Sequence, residues 1–339
     1  MALPSLPAVL EPLPWLHPAW QQWLSRRMRL GHAYLLPAAE GIAVEQLVLA
    51  MSAQMLCQMP SAQGGCGRCV GCHLFAAQQH PDFYHLHPLE EKKEVGVDQV
   101  RALIQRLNET SHQGGYKVIW IEAVEHLNLS AFNALLKTLE EPANQTLFLL
   151  SCQQTARLPA TIRSRCQQLS IGLPDFNSAI LWLQQQRPQF DHALLKRALR
   201  LNWGAPLAAQ AWLDQGRLQE YRQWQEGLKA LHEGRKTPSK VAAPWLKWPQ
   251  PERLFDYFYH WVLSELRRET YANCPANKTI LQRLLQFEKQ LQRAKTLWQG
   301  NANKELVAEN LLQVWLSAQS PNVPATMTIF HSVLNRGDL

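Results

Sequence analysis

The stretch HAYLLPAAEGIAVEQLVLAM, residues 32–51, decides the fold class of the protein. Its first five residues form a short apolar run that predicts a buried strand, and apolar residues recur at helical spacing from Val44 onward. A strand, a short loop and a helix form the setting in which the pattern G-x-x-x-x-G-K-[ST] binds phosphate groups. Only Gly41 of that pattern is present, because Ile42 and Ala43 stand where Lys and Ser or Thr are needed.

Composition limits the class of protein. The chain has 339 residues, 46% of them hydrophobic, which is enough for two or three domains with their own cores. No apolar run approaches the roughly 18 residues of a membrane helix, and the N-terminus lacks the positive charge of an export signal. We therefore expect a cytoplasmic protein. The net charge of +7 permits contact with nucleic acid without demonstrating it.

Four of the seven cysteines form a cluster with the pattern C-x8-C-x2-C-x2-C. These are Cys57, Cys66, Cys69 and Cys72, and the glycines between them supply tight turns. Four thiolates in one small loop suit a closed, structural zinc site. A 4Fe–4S cluster is the alternative, but the bacterial ferredoxin run needs another Cys three residues after the third and then Pro. Free buried thiols are the remaining possibility.

Strands alternate with helices in the first half of the chain. Helical periodicity appears at 98–107 and 130–140, where one face of each segment is apolar. Further buried strands are predicted at 82–86, 118–121, 147–151 and 167–171. This alternation predicts an α/β fold with a parallel sheet that is covered by helices on both faces.

Strand signals stop after about residue 173. Three short amphipathic helices are predicted at 176–187, 191–200 and 205–215. The helical pattern then continues with breaks at 233–251, which we interpret as a long surface loop, and at 272–278. We expect three domains: an α/β domain at 1–172 with the cysteine module at 57–72, a helical lid at 173–215, and an all-α collar for oligomerisation at 216–339.

Two further stretches carry a family resemblance. AFNALLKTLEEP (131–142) and LPATIRSRC (158–166) resemble the core of the clamp-loader branch of the AAA+ ATPases. The inserted cysteines, HPDF (80–83) and GGYKVIWIEAVEHL (114–127) narrow the match to the clamp loader of bacterial DNA polymerase III. The resemblance implies a Rossmann-like, five-stranded parallel sheet with a zinc-binding insertion, followed by the lid and the collar. It covers about residues 20–170 closely.

The sequence departs from the ATP-hydrolysing members of that family in three places. Ile42 and Ala43 remove the Lys that reaches the phosphates and the hydroxyl that ligates Mg²⁺. Glu122 occupies the metal-binding position after the third strand, but Ala123 replaces the water-activating Glu. Leu207 stands where a sensor Arg is found in the motif of the lid. The resemblance therefore implies a subunit that binds no ATP of its own and does not hydrolyse it.

A neighbouring subunit could explain why the scaffold is kept. Ser164-Arg165-Cys166 matches the Ser-Arg-Cys motif of the family, in which the Arg reaches the γ-phosphate held by the next subunit. By this resemblance Arg165 is an arginine finger that acts in trans, and Arg163 is a decoy or an auxiliary contact. The implied partners are ATPase subunits of the gamma or tau type, the delta subunit, the sliding clamp and primed DNA within a five-membered hetero-oligomeric ring.

Two other functions remain open at this point. The chain could be an ATP-hydrolysing motor subunit with an unorthodox phosphate site, or a free-standing zinc protein that binds DNA. His80, His85 and His87 lie beside the cysteines, and we expect them to pack or to face solvent. The helical half is rich in Trp, and we expect five of these residues to pack helices or to fill an interface: Trp203, Trp212, Trp245, Trp248 and Trp261.

Overall fold

The computed structural model describes residues 10–26, 29–89, 94–271 and 278–318. The chain divides into two compact units, Met1–Asp175 and Phe176–Leu339. The first unit is an α/β domain and the second is helical throughout its described part. The further division of the helical part into a lid at 173–215 and a collar at 216–339 stays a prediction.

A five-stranded parallel sheet forms the centre of the first unit. Its strands are β1 (Ala33–Pro37), β2 (Phe83–Leu86), β3 (Lys117–Ile121), β4 (Thr146–Cys152) and β5 (Gln167–Gln168). They lie in the order β2-β3-β4-β1-β5, and every neighbouring pair is parallel. The predicted parallel sheet is therefore confirmed.

The register places apolar residues of neighbouring strands side by side. Leu35 of β1 pairs with Leu150 of β4, and Phe148 of β4 pairs with Ile119 of β3. All seven residues of β4 are buried, as expected for a central strand that is covered on both faces. The sequence of this strand consequently reads as a nearly continuous apolar run rather than an alternation.

Six helices surround the sheet. They are α1 (His17–Arg26), α2 (Val44–Met55), α3 (Val70–Ala76), α4 (Val97–Leu107), α5 (Leu129–Glu140) and α6 (Ala160–Arg165). The apolar faces of α4 and α5 belong to the same core cluster as β1, β3 and β4. Asn128 precedes helix α5, and its side chain accepts a hydrogen bond from the Ala131 N–H at 2.9 Å and so caps the helix.

The fifth strand is shorter than predicted. The sequence predicts a strand at 167–171, whereas β5 comprises only Gln167–Gln168. Its partner β1 ends at Pro37, which has no N–H to donate to a continuing ladder. Leu169 and Ile171 still donate single hydrogen bonds to β1 carbonyls, at 2.9 and 3.4 Å, without extending the strand.

The HPDF segment has a structural role. Asp82, only 1% exposed, accepts hydrogen bonds from the Ser111 hydroxyl and from the N–H groups of His112 and Gln113 at 2.8–3.1 Å. These contacts tie the start of β2 to the turn that precedes β3. They also satisfy a buried carboxylate, which would otherwise be costly to desolvate.

The second unit contains eight described helices. They are α7 (Phe176–Gln186), α8 (His192–Leu201), α9 (Pro206–Asp214), α10 (Leu218–His232), α11 (Pro238–Trp245), α12 (Arg253–Tyr271), α13 (Lys278–Gln299) and α14 (Lys304–Ser317). None of the helices in the described ranges combines the length and apolar character needed to cross a membrane. Most of the predicted break at 272–278 lies outside the described residues.

The surface-loop prediction for 233–251 is wrong, because this segment contains helix α11. Pro238 occupies the first turn of the helix, where its fixed φ and missing N–H are tolerated. Trp245 and Val241 are buried beside Gly227 of α10, where an added Cβ would lie 3.0–3.1 Å from them. A close helix crossing therefore stabilises a segment whose composition is typical of a loop.

The expectation for tryptophan packing holds for four of the five residues named. Trp212, Trp245, Trp248 and Trp261 are at most 7% exposed, as expected for helix packing. Trp203 is the exception: it is 47% exposed and lies in the turn between α8 and α9, and its role in an interface stays a prediction.

Candidate functional site

The loop between β1 and α2 is packed rather than open. Ile42, at the position of the phosphate-binding Lys, is completely buried, and Ala43 is 4% exposed. Ala43 adopts a left-handed conformation with φ of 59° immediately before α2. Apolar side chains therefore line the part of the loop where a phosphate site would need polar, accessible groups.

The indole of Trp15, in the N-terminal segment, contacts this loop. Trp15 is 7% exposed and its Nε1 donates a hydrogen bond to the Ile42 carbonyl at 2.9 Å. The loop also leaves the sheet beside β4, since the Ala38 N–H donates to the Cys152 carbonyl at 2.9 Å. Both ends of the loop are thus fixed by contacts within the unit.

The residue after β3 makes a histidine contact. Glu122 accepts a hydrogen bond from His85 Nε2 at 2.9 Å, and this bond lowers the pKa of the Glu122 carboxyl. The His85 ring stacks on Trp120 with centroids 4.0 Å apart, and His87 lies beside it at 4.7 Å. These two histidines therefore pack at the strand ends, as expected. Ala123 follows with φ of 46° and offers no group that could activate water.

Arg165 lies at the last residue of α6 and is held within its own chain. Its Nη1 donates to the Thr161 carbonyl at 2.9 Å, and its Nη2 forms an ion pair with Glu140 at the end of α5. The two side chains are 31% and 47% exposed, so the pair lies at the surface. The guanidinium keeps further N–H groups that these contacts do not use.

The neighbours of Arg165 point in different directions. The Ser164 hydroxyl donates to the Thr161 carbonyl at 3.1 Å, on the outside of α6. Cys166 packs against the core of the first unit, and burial raises the pKa of its thiol to about 11. Arg163 is exposed.

Leu207, at the position predicted for a sensor Arg, is half-buried in the first turn of α9 in the second unit.

The four predicted cysteines meet at one point. The sulfur atoms of Cys57, Cys66, Cys69 and Cys72 all lie within 4.8 Å of one another, and two of the pairs are 3.8 and 3.9 Å apart. Four thiolates around a tetrahedral zinc ion would lie about 3.8 Å apart, given Zn–S bonds of about 2.3 Å. The geometry therefore fits a closed tetrahedral metal site. His80 is buried nearby without being part of this cluster.

Backbone N–H groups surround the sulfur atoms. Cys57 Sγ accepts from the Cys66 and Met59 N–H groups at 3.1 and 3.3 Å. Donation from the Arg68 N–H and the Cys69 N–H lowers the pKa of the Cys66 thiol to about 6. Such donors stabilise thiolates, which are the form that binds metal.

The cysteine module is anchored independently of any metal. Trp20 Nε1 donates to the Ala62 carbonyl at 3.1 Å, and the Gln54 amide contacts the Ser61 carbonyl. Gly71 lies so close to α2 that an added Cβ would be 2.5 Å from the Leu56 carbonyl oxygen. Close packing against α1 and α2 therefore positions the module.

Sequence reasoning found the cysteine cluster but missed three contacts. These are the Trp15 cover on the loop, the His85–Glu122 pair and the Arg165–Glu140 pair. The residues in each pair are 25 to 37 positions apart, so no local periodicity relates them.

The loop before α2 and a parallel sheet in the order β2-β3-β4-β1-β5 agree with the AAA+ fold that the sequence resemblance implies. The profile of a family described as "DNA polymerase III, delta subunit" matches residues 18–174. DNA polymerase III subunit delta′ of Pseudomonas aeruginosa is 38% identical over 324 residues, covering 91% of this chain and 98% of that protein. The chain belongs to the family of DNA polymerase III delta′ subunits.

Other relatives match over shorter stretches. Subunit delta′ of Escherichia coli is 42% identical over 200 residues, 58% of this chain and 60% of that protein. Subunit tau of E. coli is 31% identical over 49% of this chain and 24% of that protein.

A solved gamma-subunit-related protein from Thermotoga maritima is 17% identical, with a TM-score of 0.42 over 88% of this chain and 99% of that one.

The packed state of the β1–α2 loop can be tested at Trp15. We expect Trp15→Ala to lower the free energy of unfolding of the first unit by about 3–5 kcal/mol, because it removes a buried indole and leaves a cavity. Urea unfolding measures this loss. Gln21→Ala, on an exposed position of α1, is the matched control and should change the value by less than about 0.5 kcal/mol. Equal effects of the two variants would show that the indole does not pack on the loop.

Proposed function

We propose that this protein is a non-hydrolysing subunit of a bacterial DNA polymerase III clamp loader, which helps to place the sliding clamp on primed DNA. Its 38% identity to the delta′ subunit of P. aeruginosa over 98% of that protein is the observation that carries the proposal. We further propose a cytoplasmic hetero-oligomer with ATPase subunits of the gamma or tau type and with the delta subunit.

The loop between β1 and α2 supports the absence of nucleotide chemistry in this chain. Binding of a triphosphate requires a Lys at its β- and γ-phosphates and a hydroxyl on Mg²⁺. Ile42 and Ala43 provide neither, and both side chains are buried. Ala123 also removes the carboxylate that would orient the attacking water.

Arg165 supports a role for the chain at its neighbour's nucleotide. A guanidinium at the γ-phosphate neutralises the charge on its equatorial oxygens and accelerates phosphoryl transfer by about 10³–10⁵. Arg165 ends α6 at the surface and belongs to the Ser-Arg-Cys motif. In the assembled ring, we propose that it reaches the nucleotide held by the adjacent ATPase subunit.

The ion pair with Glu140 is compatible with this role. Exposed ion pairs contribute only about 0–1 kcal/mol, and Glu140 is 47% exposed. A nearby triphosphate carries more negative charge than one carboxylate, so Arg165 can exchange one partner for the other at low cost. In the absence of the neighbouring nucleotide, Glu140 and the Thr161 carbonyl hold the guanidinium in place.

We also propose that Cys57, Cys66, Cys69 and Cys72 bind one structural zinc ion. Four sulfur ligands leave no coordination position for water or substrate, so the ion stabilises the loop without taking part in a reaction. The separations of 3.8 and 3.9 Å between sulfur atoms support this assignment.

Two other functions would give different results. A motor subunit with an unorthodox phosphate site would bind Mg²⁺-ATP by itself with micromolar affinity, whereas we expect no Mg²⁺-dependent binding of ATP by the isolated chain. Equilibrium dialysis with labelled ATP, with and without Mg²⁺, measures this. A free-standing zinc protein would bind primed DNA alone, with an affinity that falls steeply as salt increases.

The metal assignment can be tested at Cys69. We expect one zinc ion per purified chain by elemental analysis and its loss in Cys69→Ser. Most of the helical circular dichroism should remain, because Trp20 and Gln54 anchor the module without the metal. Cys152→Ser is the control, since this buried cysteine lies outside the cluster and should leave the zinc content unchanged. Iron with visible absorbance, or no metal at all, would contradict the assignment.

The proposed role of Arg165 can be tested in a reconstituted clamp loader. We expect Arg165→Ala to leave the ring assembled and ATP bound by the neighbour, because that subunit holds ATP through its own phosphate loop and Mg²⁺. Hydrolysis at this interface should fall by about 10³-fold or more, and clamp loading should fall as a consequence. Arg165→Lys should restore little, since an ammonium lacks the planar fork of the guanidinium.

Arg163→Ala is the matched control, because Arg163 is exposed on the same helix. It should load clamps like the unmodified complex. Clamp loading is the preferred measurement, since other interfaces keep their own arginine fingers and maintain part of the total hydrolysis. A normal loading rate with Arg165→Ala would rule out the trans role.

A further inference from the structure

The second unit contains a cavity of about 420 Å³ that the proposed function does not use. Residues of α7, α8, α10 and α12 line it, together with the turn between α8 and α9. Its volume lies in the range of sites for small organic ligands, which is about 300–1,000 Å³. All of its lining residues belong to the second unit.

Aromatic rings and guanidinium groups dominate the lining. Six aromatic side chains contribute, and Trp203 among them is 47% exposed, with its ring 3.8 Å from that of His260. Arg200 and Arg267 also line the cavity and are exposed, and neither forms an ion pair with any of the described residues. No acidic side chain is found among the lining residues. The site therefore combines planar apolar faces with uncompensated positive charge.

We propose that this cavity binds a nucleoside phosphate, either as a free nucleotide or as one nucleotide of a single strand. A nucleobase would stack on the aromatic faces, an interaction that is strong and tolerant of sequence. The phosphate would lie at Arg200 and Arg267, whose guanidinium groups match phosphate geometry.

Other occupants fit the cavity less well. An aliphatic side chain of a partner protein would leave the positive charges of Arg200 and Arg267 without a counter-charge. A simple inorganic anion would leave the aromatic surface uncovered. A ligand that is planar at one end and negatively charged at the other satisfies both features of the lining.

The test measures binding to the full-length chain by calorimetry at low salt and without Mg²⁺. The probes are deoxyadenosine 5′-monophosphate, deoxyadenosine, inorganic phosphate and a short single strand of deoxyadenylate. Adenine is chosen because its purine ring offers a large face for stacking. We expect the monophosphate or the strand to bind, and deoxyadenosine and phosphate to bind at least tenfold more weakly.

Two variants remove the two halves of the site. Arg267→Ala removes a phosphate contact, and Trp203→Gly removes a stacking face at a residue whose φ of 57° suits glycine, so the fold should be kept. Each should weaken binding at least tenfold. Arg222→Ala, exposed on α10 and outside the cavity, is the matched control and should bind normally.

The results distinguish the sources of the ligand and can overturn the inference. Equal affinities for the monophosphate and the strand support a free nucleotide, whereas binding of the strand alone supports a single-stranded nucleic acid. If neither probe binds, or if either variant binds as tightly as Arg222→Ala, the inference is wrong. Arg165→Ala should bind all probes normally, so this outcome is separate from that of the proposed function.

Discussion

Burial of β4 on both faces is the constraint on which the first unit depends. β3 and β1 pair with its two edges, and all seven residues of Thr146–Cys152 are buried. The end of this strand also fixes two other segments of the unit. The β1–α2 loop leaves the sheet where the Ala38 N–H meets the Cys152 carbonyl, and the chain that follows Cys152 leads into α6 and Arg165. We therefore expect a substitution at the end of β4 to shift both the β1–α2 loop and α6.

The same backbone can serve chemistry or packing, and the side chains decide which. A phosphate loop needs a flexible, polar and accessible surface, whereas this loop buries Ile42 and is covered by Trp15. Glu122, which follows β3, contacts protein through His85. The same unit presents Arg165 at the surface.

The arginines on which the two proposals rest differ in whether a carboxylate pairs with them. Arg165 pairs with a carboxylate on a neighbouring helix and is ordered before any partner arrives. Arg200 and Arg267 instead line an aromatic cavity with no acidic residue to compensate them. The net charge of +7 gave no indication of this difference. A paired arginine suits exchange of one anion for another, and unpaired arginines suit the capture of an anion.

The sequence by itself determined the alternation of strands and helices and the cysteine cluster, because both depend on residues only a few positions apart. It did not determine the length of β5, which is limited by Pro37 in another strand, nor α11, whose loop-like composition is overridden by its fit beside Gly227. The cover of Trp15 on the loop, the partner of Arg165 and the aromatic cavity were decided by the tertiary structure alone. Each joins residues far apart in the chain, and only packing of the whole unit brings such residues into contact.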